Sequence, residues 1–224
     1  MKTKHIVIDI ESLPCANQSQ MAYLLASVKA DSRLKDPVKI AADIAEKKEE
    51  VVGKTGLDGS FGRILCASVA DADGGEIITL SSPAVDEFSV LNGLLDAITS
   101  IARDDSHTAI TPVIVGHNIG WDLRFIAQRC VINGVPINKK FLPFDAKPWE
   151  MADTMTLWAG SGNKISLDRL CAALGVESPK GEIDGSKIAE YFEAGKLAEI
   201  IAYNRADVEA TRQCYRLMRS WGMA

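Results

Sequence analysis

The stretch IVIDIES, residues 6–12, decides how the rest of the chain is read. Ile6, Val7, Ile8 and Ile10 form a short β-branched run of the kind buried on both faces of a sheet. Asp9 stands inside that run and Glu11 closes it. A carboxylate removed from water is costly unless something cationic or hydrogen-bonding compensates it. Two apart on a strand, Asp9 and Glu11 point to the same face. Carboxylates that close repel each other unless a cation lies between them. Hard divalent cations such as Mg²⁺ and Mn²⁺ prefer oxygen ligands of this type. Alone, the pair also fits a strand that ends at the surface with Glu11 solvated.

Outward from this strand the pattern is mixed α/β. Residues 20–50 take a helical period through Leu24, Leu25, Val28, Ile40 and Ile44, with AEKKEE as a solvated face. GKTGLDGSFG, residues 53–62, carries four glycines and reads as a flexible loop. RILCASVAD (63–71) and EIITLSS (76–82) predict two strands joined by a hairpin turn. Residues 85–103 predict a helix. PVIVGHN predicts a buried strand ending at Gly116, and WDLRFIAQRCVING a helix with a glycine stop. EMADTMTLW predicts one more strand. SLDRLCAALG predicts a helix capped by Ser166, with Gly175 past its end. Residues 187–219 hold one or two further helices. The order predicts a mixed central sheet with an antiparallel hairpin, flanked by helices. We expect one domain over residues 1–224, with 13–60 as a helical and loop insertion.

The bulk numbers narrow the function classes. In 224 residues, 47% hydrophobic, there is material for one sizeable core. The net charge of −5 gives no global basic field, although a site built from carboxylates carries part of that charge itself. The five cysteines are scattered with no CxxC pair, which argues against a disulfide framework or zinc site and fits a cytoplasmic setting. No apolar run approaches the ~20 residues of a membrane span. GKT at 53–55 is no phosphate-binding loop, because the required earlier glycine is Lys48.

Two further constellations carry chemistry. VGHNIGWDLRFI places Asp122 in the first turn of a helix that follows a strand. Sites in open α/β sheets lie at the carboxyl ends of strands, where Asp9 and Asp122 can converge. IAYNRADVEAT puts Tyr203 and Asp207 four apart on one helix face. Each motif alone has an ordinary reading: a capping Asp122, or a surface Asp207 beside a half-buried Tyr203. In combination, DxE, HNxxxD and YxxxD resemble the DEDD superfamily of 3′-5′ exonucleases, which has a ribonuclease H-like fold. Tyr203 matches the tyrosine subtype, since the histidines are His5, His107 and His117, none of them late in the chain. SLDRLCAALGV and EIDGSKIAEYF…LAEIIAYNRADVEAT are similar to the stand-alone exonucleases related to the proofreading domain of family B DNA polymerases. The resemblance covers residues 5–12 and 61–219 and leaves out 13–60.

The resemblance implies that Asp9, Glu11, Asp122 and Asp207 hold two divalent metal ions, Mg²⁺ or Mn²⁺, with Asp9 shared between them. It implies hydrolysis of single-stranded or frayed DNA 3′ ends to 5′-mononucleotides, with Tyr203 orienting the attacking water. Ile10 and Ser12 offer backbone groups to the terminal nucleotide, and Leu13 is expected to wedge against its base. Asn118 is expected to contact the substrate end or brace the site; His117 and Phe125 are further candidate substrate contacts, with a satisfied structural group as the plainer reading of His117 and core packing as that of Phe125. Candidate phosphate contacts are Arg33, Lys35, Lys39, Lys47, Lys48 and Lys54, Lys139 with Lys140, and Lys164 with Arg205. Trp121, Trp149 and Trp158 are candidate stacking residues, with core packing as the plainer reading. Expected partners are single-stranded DNA and replication or repair proteins, with no membrane. Two alternatives stand: an exonuclease acting on RNA, and a nuclease-like module that binds without cutting. Against the latter, a binding module has no physical need for four carboxylates that repel phosphate.

Overall fold

Alternation along the first strand sorts the molecule into two layers. In a computed structural model, which describes residues 3–103, 108–140, 142–145, 151–179, 181 and 183–224, strand β1 runs from His5 to Leu13. It pairs antiparallel with β2 (Arg63–Asp71) and parallel with β4 (Val113–Gly116). β3 (Ile78–Ser81) and β5 (Met151–Asp153) complete a sheet of order β3-β2-β1-β4-β5. β1 is therefore central. Ile6, Ile8 and Ile10 face a core shared with α3 (Glu87–Ile101) and α4 (Ile119–Asn133), through Leu91, Leu94, Phe125 and Ile126. Val7 packs with Val208 and Tyr215 of α8 (Leu197–Ser220), and Leu13 with Ile200 of α8 and Ile188 of α7 (Ile188–Glu193). Period two thus gives one face of β1 to α3 and α4, and the other to α8. Asp9 and Glu11 belong to the α8 face.

The mixed sheet, its hairpin and its flanking helices follow the sequence pattern, with three differences. The helical period of residues 20–50 is interrupted: α1 is Gln18–Leu25 and α2 is Pro37–Lys54. Asp36 precedes Pro37, and a residue before proline disfavours the helical region. Asp36 instead caps α2 through Val38 N at 2.9 Å. Neither helix contains a buried residue. The expected loop of residues 53–62 is a packed connector, with a 3-10 turn at Thr55–Leu57. A Cβ at Gly62 would sit 2.6 Å from the Thr55 carbonyl oxygen and 3.0 Å from the Phe125 ring. Close approach to α4, not flexibility, explains that glycine. The strand expected over EMADTMTLW ends at Asp153, because the Asp153 side chain accepts from Met155 N at 3.0 Å and starts α5 (Thr154–Ala159). The caps of α6 (Leu167–Leu174) are as expected: Ser166 accepts from Arg169 N, and Gly175 takes φ 69°.

A buried ion pair ties the α3/α4 layer to the sheet. Glu87 Oε2 accepts from Arg129 Nη2 at 2.6 Å, and Oε1 accepts from Arg129 Nε at 2.9 Å and Ile64 N at 2.8 Å. Both side chains are 7% exposed. Removing one partner strands the other charge in the core. Glu87→Ala is expected to lower stability by about 3–5 kcal/mol in urea denaturation followed by circular dichroism. A loss under about 1 kcal/mol, the range of exposed pairs, would show that the pair is not a structural anchor.

Candidate active site

Because β1 and β4 are parallel neighbours, their carboxyl ends lie at the same edge of the sheet. β1 brings Asp9 and Glu11 there. β4 ends at Gly116, and two residues later α4 begins, with Asp122 in its first turn. This tight turn requires Asn118 to adopt φ 65° and ψ 34°, a left-handed conformation that Asn tolerates. The turn is pinned by Asp153, whose Oδ1 accepts from Asn118 N at 2.9 Å. Asp122 Oδ1 accepts from Ile10 N at 3.4 Å, which joins α4 to β1. Helix α8 contributes Tyr203, Asn204 and Asp207 from the opposite layer.

Ligand atoms of Asp9, Glu11 and Asp207 lie within 4.8 Å of one another. Asp122 stands outside that triangle, yet its charge acts on both Asp9 and Glu11. Glu11 and Asp122 are 7% and 5% exposed, and Asp9 and Asp207 are half-buried. Loss of water comes first in raising every one of their pKa values, and mutual repulsion adds to it for Asp9 and Glu11. Burial pushes Asp122 up to about 8, with Asp153 and Asp207 adding repulsion. Burial pushes Asp207 up to about 7, against a lowering hydrogen bond from Tyr203. No cation appears among the described charges acting on the four. The arrangement can keep its carboxylates ionised only by taking positive charge from outside the described residues. An all-oxygen set of this kind suits Mg²⁺ or Mn²⁺.

The other sequence candidates divide. Asn118 is exposed, and its side chain caps nothing, so it faces solvent at the mouth of the turn. Tyr203 is half-buried, and its hydroxyl donates to Asp207. Burial and the surrounding carboxylates hold its pKa far above the usual phenol value, so it stays protonated. His117 is a brace rather than a free substrate contact. Its Nε2 meets the Ile165 carbonyl at 2.8 Å and its Nδ1 meets Thr154 Oγ1 at 2.9 Å. A carbonyl only accepts, so Nε2 carries the proton; burial lowers the pKa and favours the neutral ring. Phe125 is 1% exposed and packs against Trp121 with its ring tilted by 46° and the centroids 5.1 Å apart, so it is core and cannot reach a base. Leu13 is also 1% exposed, enclosed by Leu65, Ile188 and Ile200, because alternation turns it toward α7 and α8. The expected wedge is therefore absent at Leu13. The backbone N–H of Ile10, one of the groups expected to meet a nucleotide, donates to Asp122 Oδ1, and beside it the Ser12 hydroxyl donates to Gly56 O at 2.6 Å. Arg205 holds the Ile77 carbonyl at 2.6 Å and is a strut to β3 rather than a phosphate contact. Arg33, Lys47, Lys54 and Lys139 each pair with a nearby carboxylate. Trp149 lies outside the described residues.

Asn204 escaped the sequence reading. It is fully buried, and its Nδ2 donates to Asp9 Oδ2 at 2.6 Å. A signal was present: Ile200, Asn204, Val208, Thr211, Cys214, Tyr215 and Met218 fall on one stripe of α8, and an amide interrupts the apolar run.

A family model described as a predicted 3′-5′ exonuclease related to the exonuclease domain of PolB matches residues 57–221. That span includes Asp122, Tyr203 and Asp207 and begins after Asp9 and Glu11. Among solved structures, the family B DNA polymerase from the hyperthermophilic archaeon Pyrobaculum calidifontis aligns over 100% of this chain with a TM-score of 0.60 and 17% identity. The chain spans only 25% of that polymerase, and the likeness at this identity is one of fold. No curated protein matches. The mixed five-stranded sheet with its flanking helices is thus a ribonuclease H-like fold, and the chain belongs to the family of predicted 3′-5′ exonucleases related to the exonuclease domain of PolB.

Proposed function

We propose that the chain is a DNA 3′-5′ exonuclease of the tyrosine DEDD subtype, a single domain carrying α1 and α2 as an insertion. One observation carries the reading: four carboxylates from β1, α4 and α8 converge with no cation among the described charges acting on them. Asp9, Glu11, Asp122 and Asp207 would hold two divalent ions, with Asp9 central because the other three charges all act on it. Bound there, such ions lower the pKa of a water nucleophile and stabilise the leaving 3′ oxygen. The orphaned Oδ1 of Asn204 fits a site whose polar groups are not fully satisfied by protein alone.

The chain's own residues then position and exclude. Tyr203, kept protonated, is a donor and not a base; it orients the attacking water beside Asp207. Asn118 offers a solvent-facing amide to the terminal nucleotide at the sheet edge. The brace from His117 to Thr154 and Ile165 and the Asp153 cap hold the β4–α4 turn in place. Single-stranded or frayed DNA is the substrate this reading favours, and 5′-mononucleotides are its products. No described helix is long and apolar enough to cross a membrane, in keeping with action on nucleic acid in the cytoplasm.

Three outcomes follow. A 5′-labelled single-stranded DNA should shorten from its 3′ end with Mg²⁺ or Mn²⁺, and stay intact with EDTA or with Asp9→Ala. Intact DNA alongside digestion of a matched RNA would transfer the reading to RNA, and resistance of both would leave a module that binds without cutting. In thermal melts, Mn²⁺ at a hundredfold excess over its Kd should raise Tm by roughly 5–10 °C. Asp207→Asn should melt higher than wild type in EDTA and lose most of the Mn²⁺ response, since it removes one repelling charge. An unchanged wild-type Tm with both metals would count against the metal site. Tyr203→Phe should retain cleavage at a rate reduced about tenfold, the worth of one hydrogen bond. Complete loss at saturating metal would instead make the phenol essential to the chemistry.

A further inference from the structure

The amide of Asn204 sits where packing alone calls for an apolar side chain. Its neighbours along the α8 stripe, Ile200 and Val208, are both 0% exposed, and Asn204 is itself 0% exposed. Its Nδ2 crosses from α8 to Asp9 Oδ2 at 2.6 Å, a contact spanning 195 residues of sequence. Its Oδ1 has no hydrogen-bond partner among the described residues. A buried acceptor without a partner is destabilising, whereas an aliphatic residue of similar size would extend the stripe without that penalty. Stability of the helix packing therefore does not account for this residue.

We propose that Asn204 is a positioning residue for Asp9, and that it sets the affinity of the site for divalent cations. The inference rests on the reading that the four carboxylates hold such ions. A neutral donor suits the task. Lysine or arginine in its place would fix Asp9 equally well, but would supply the positive charge that the site otherwise takes from a cation. The amide ties one carboxylate oxygen, restricts the rotation of the side chain, and leaves the net charge of the cluster intact. Partners that orient a ligating carboxylate from behind are worth roughly 10–100-fold in metal affinity.

Mn²⁺ binding to the full chain, read by electron paramagnetic resonance and by calorimetry, tests this without using turnover. Asn204→Leu keeps the branched four-atom outline of the side chain and removes both polar atoms. Asn204→Ser shortens the side chain and is the milder disturbance to folding. Thr211→Val, on the same buried stripe two turns past Asn204, reports what a packing change alone does. Both Asn204 variants should keep wild-type circular dichroism and weaken Mn²⁺ binding by roughly 10–100-fold. Thr211→Val should stay within about twofold of wild type. Cleavage by the Asn204 variants should recover as Mn²⁺ is raised, since the chemistry's own groups remain. Wild-type affinity in both Asn204 variants overturns the proposal while leaving the metal site standing. An equal loss in Thr211→Val overturns it too, as does unfolding of both Asn204 variants, because the residue would then serve the fold. A wild-type chain that takes up no Mn²⁺ overturns the metal reading itself, and the positioning role with it.

Discussion

Repulsion among four carboxylates at the end of a central strand is the constraint around which the rest of the structure is arranged. An exposed edge would let Asp9 and Glu11 be solvated at little cost. β1 has a neighbour on each side, and its acidic residues lie under α8. The pKa values of all four are raised, and burial is the first cause in each case. A protein selected for stability alone would replace such a group with apolar residues. The scaffold must hold the cluster closed against its own repulsion.

The holding is done from both layers, by groups that bring no free cation to the cluster. In the α3/α4 layer, the buried guanidinium of Arg129 is neutralised by Glu87 and ties α3, α4 and β2 together. At the mouth, neutral His117 and the capping carboxylate of Asp153 fix the turn that delivers Asp122. In the α8 layer, a phenol and an amide meet Asp207 and Asp9. These donors orient carboxylates without cancelling their charge. The distinction matters because an ammonium within the cluster would take the place proposed for the metal.

How much of this the sequence discloses depends on how local the cause is. The sheet with its hairpin follows from alternation and turn residues, and the α6 caps follow from Ser166 and Gly175. Asp9, Glu11, Asp122, Tyr203 and Asp207 stand out because carboxylates in apolar runs violate the pattern around them. The violation at Asn204 is of the same kind, but an amide in a stripe is a weaker anomaly than a charge. What stays hidden is long-range. Nothing local in SLP tells that Leu13 turns inward under α7, or that both His117 nitrogens are engaged by residues 37 and 48 positions away. Residues 53–62 mislead for a physical reason: glycine serves flexible loops and close backbone packing equally well, and only the proximity of Phe125 separates the two.

That packed connector also explains how an exposed pair of helices can belong to the site. α1 and α2 bury none of their own residues. Yet the segment leaving α2 is bonded at Gly56 O by Ser12, one residue beyond Glu11, and at Leu57 O by the indole of Trp121, one residue before Asp122. The chain after the helices is thus fastened to both elements that carry the first two acidic motifs. Leu57 itself is 70% exposed between those fastenings. The insertion has no carboxylate in the described cluster, but the segment that leaves it is held beside both of those motifs by the Ser12 hydroxyl and the Trp121 indole.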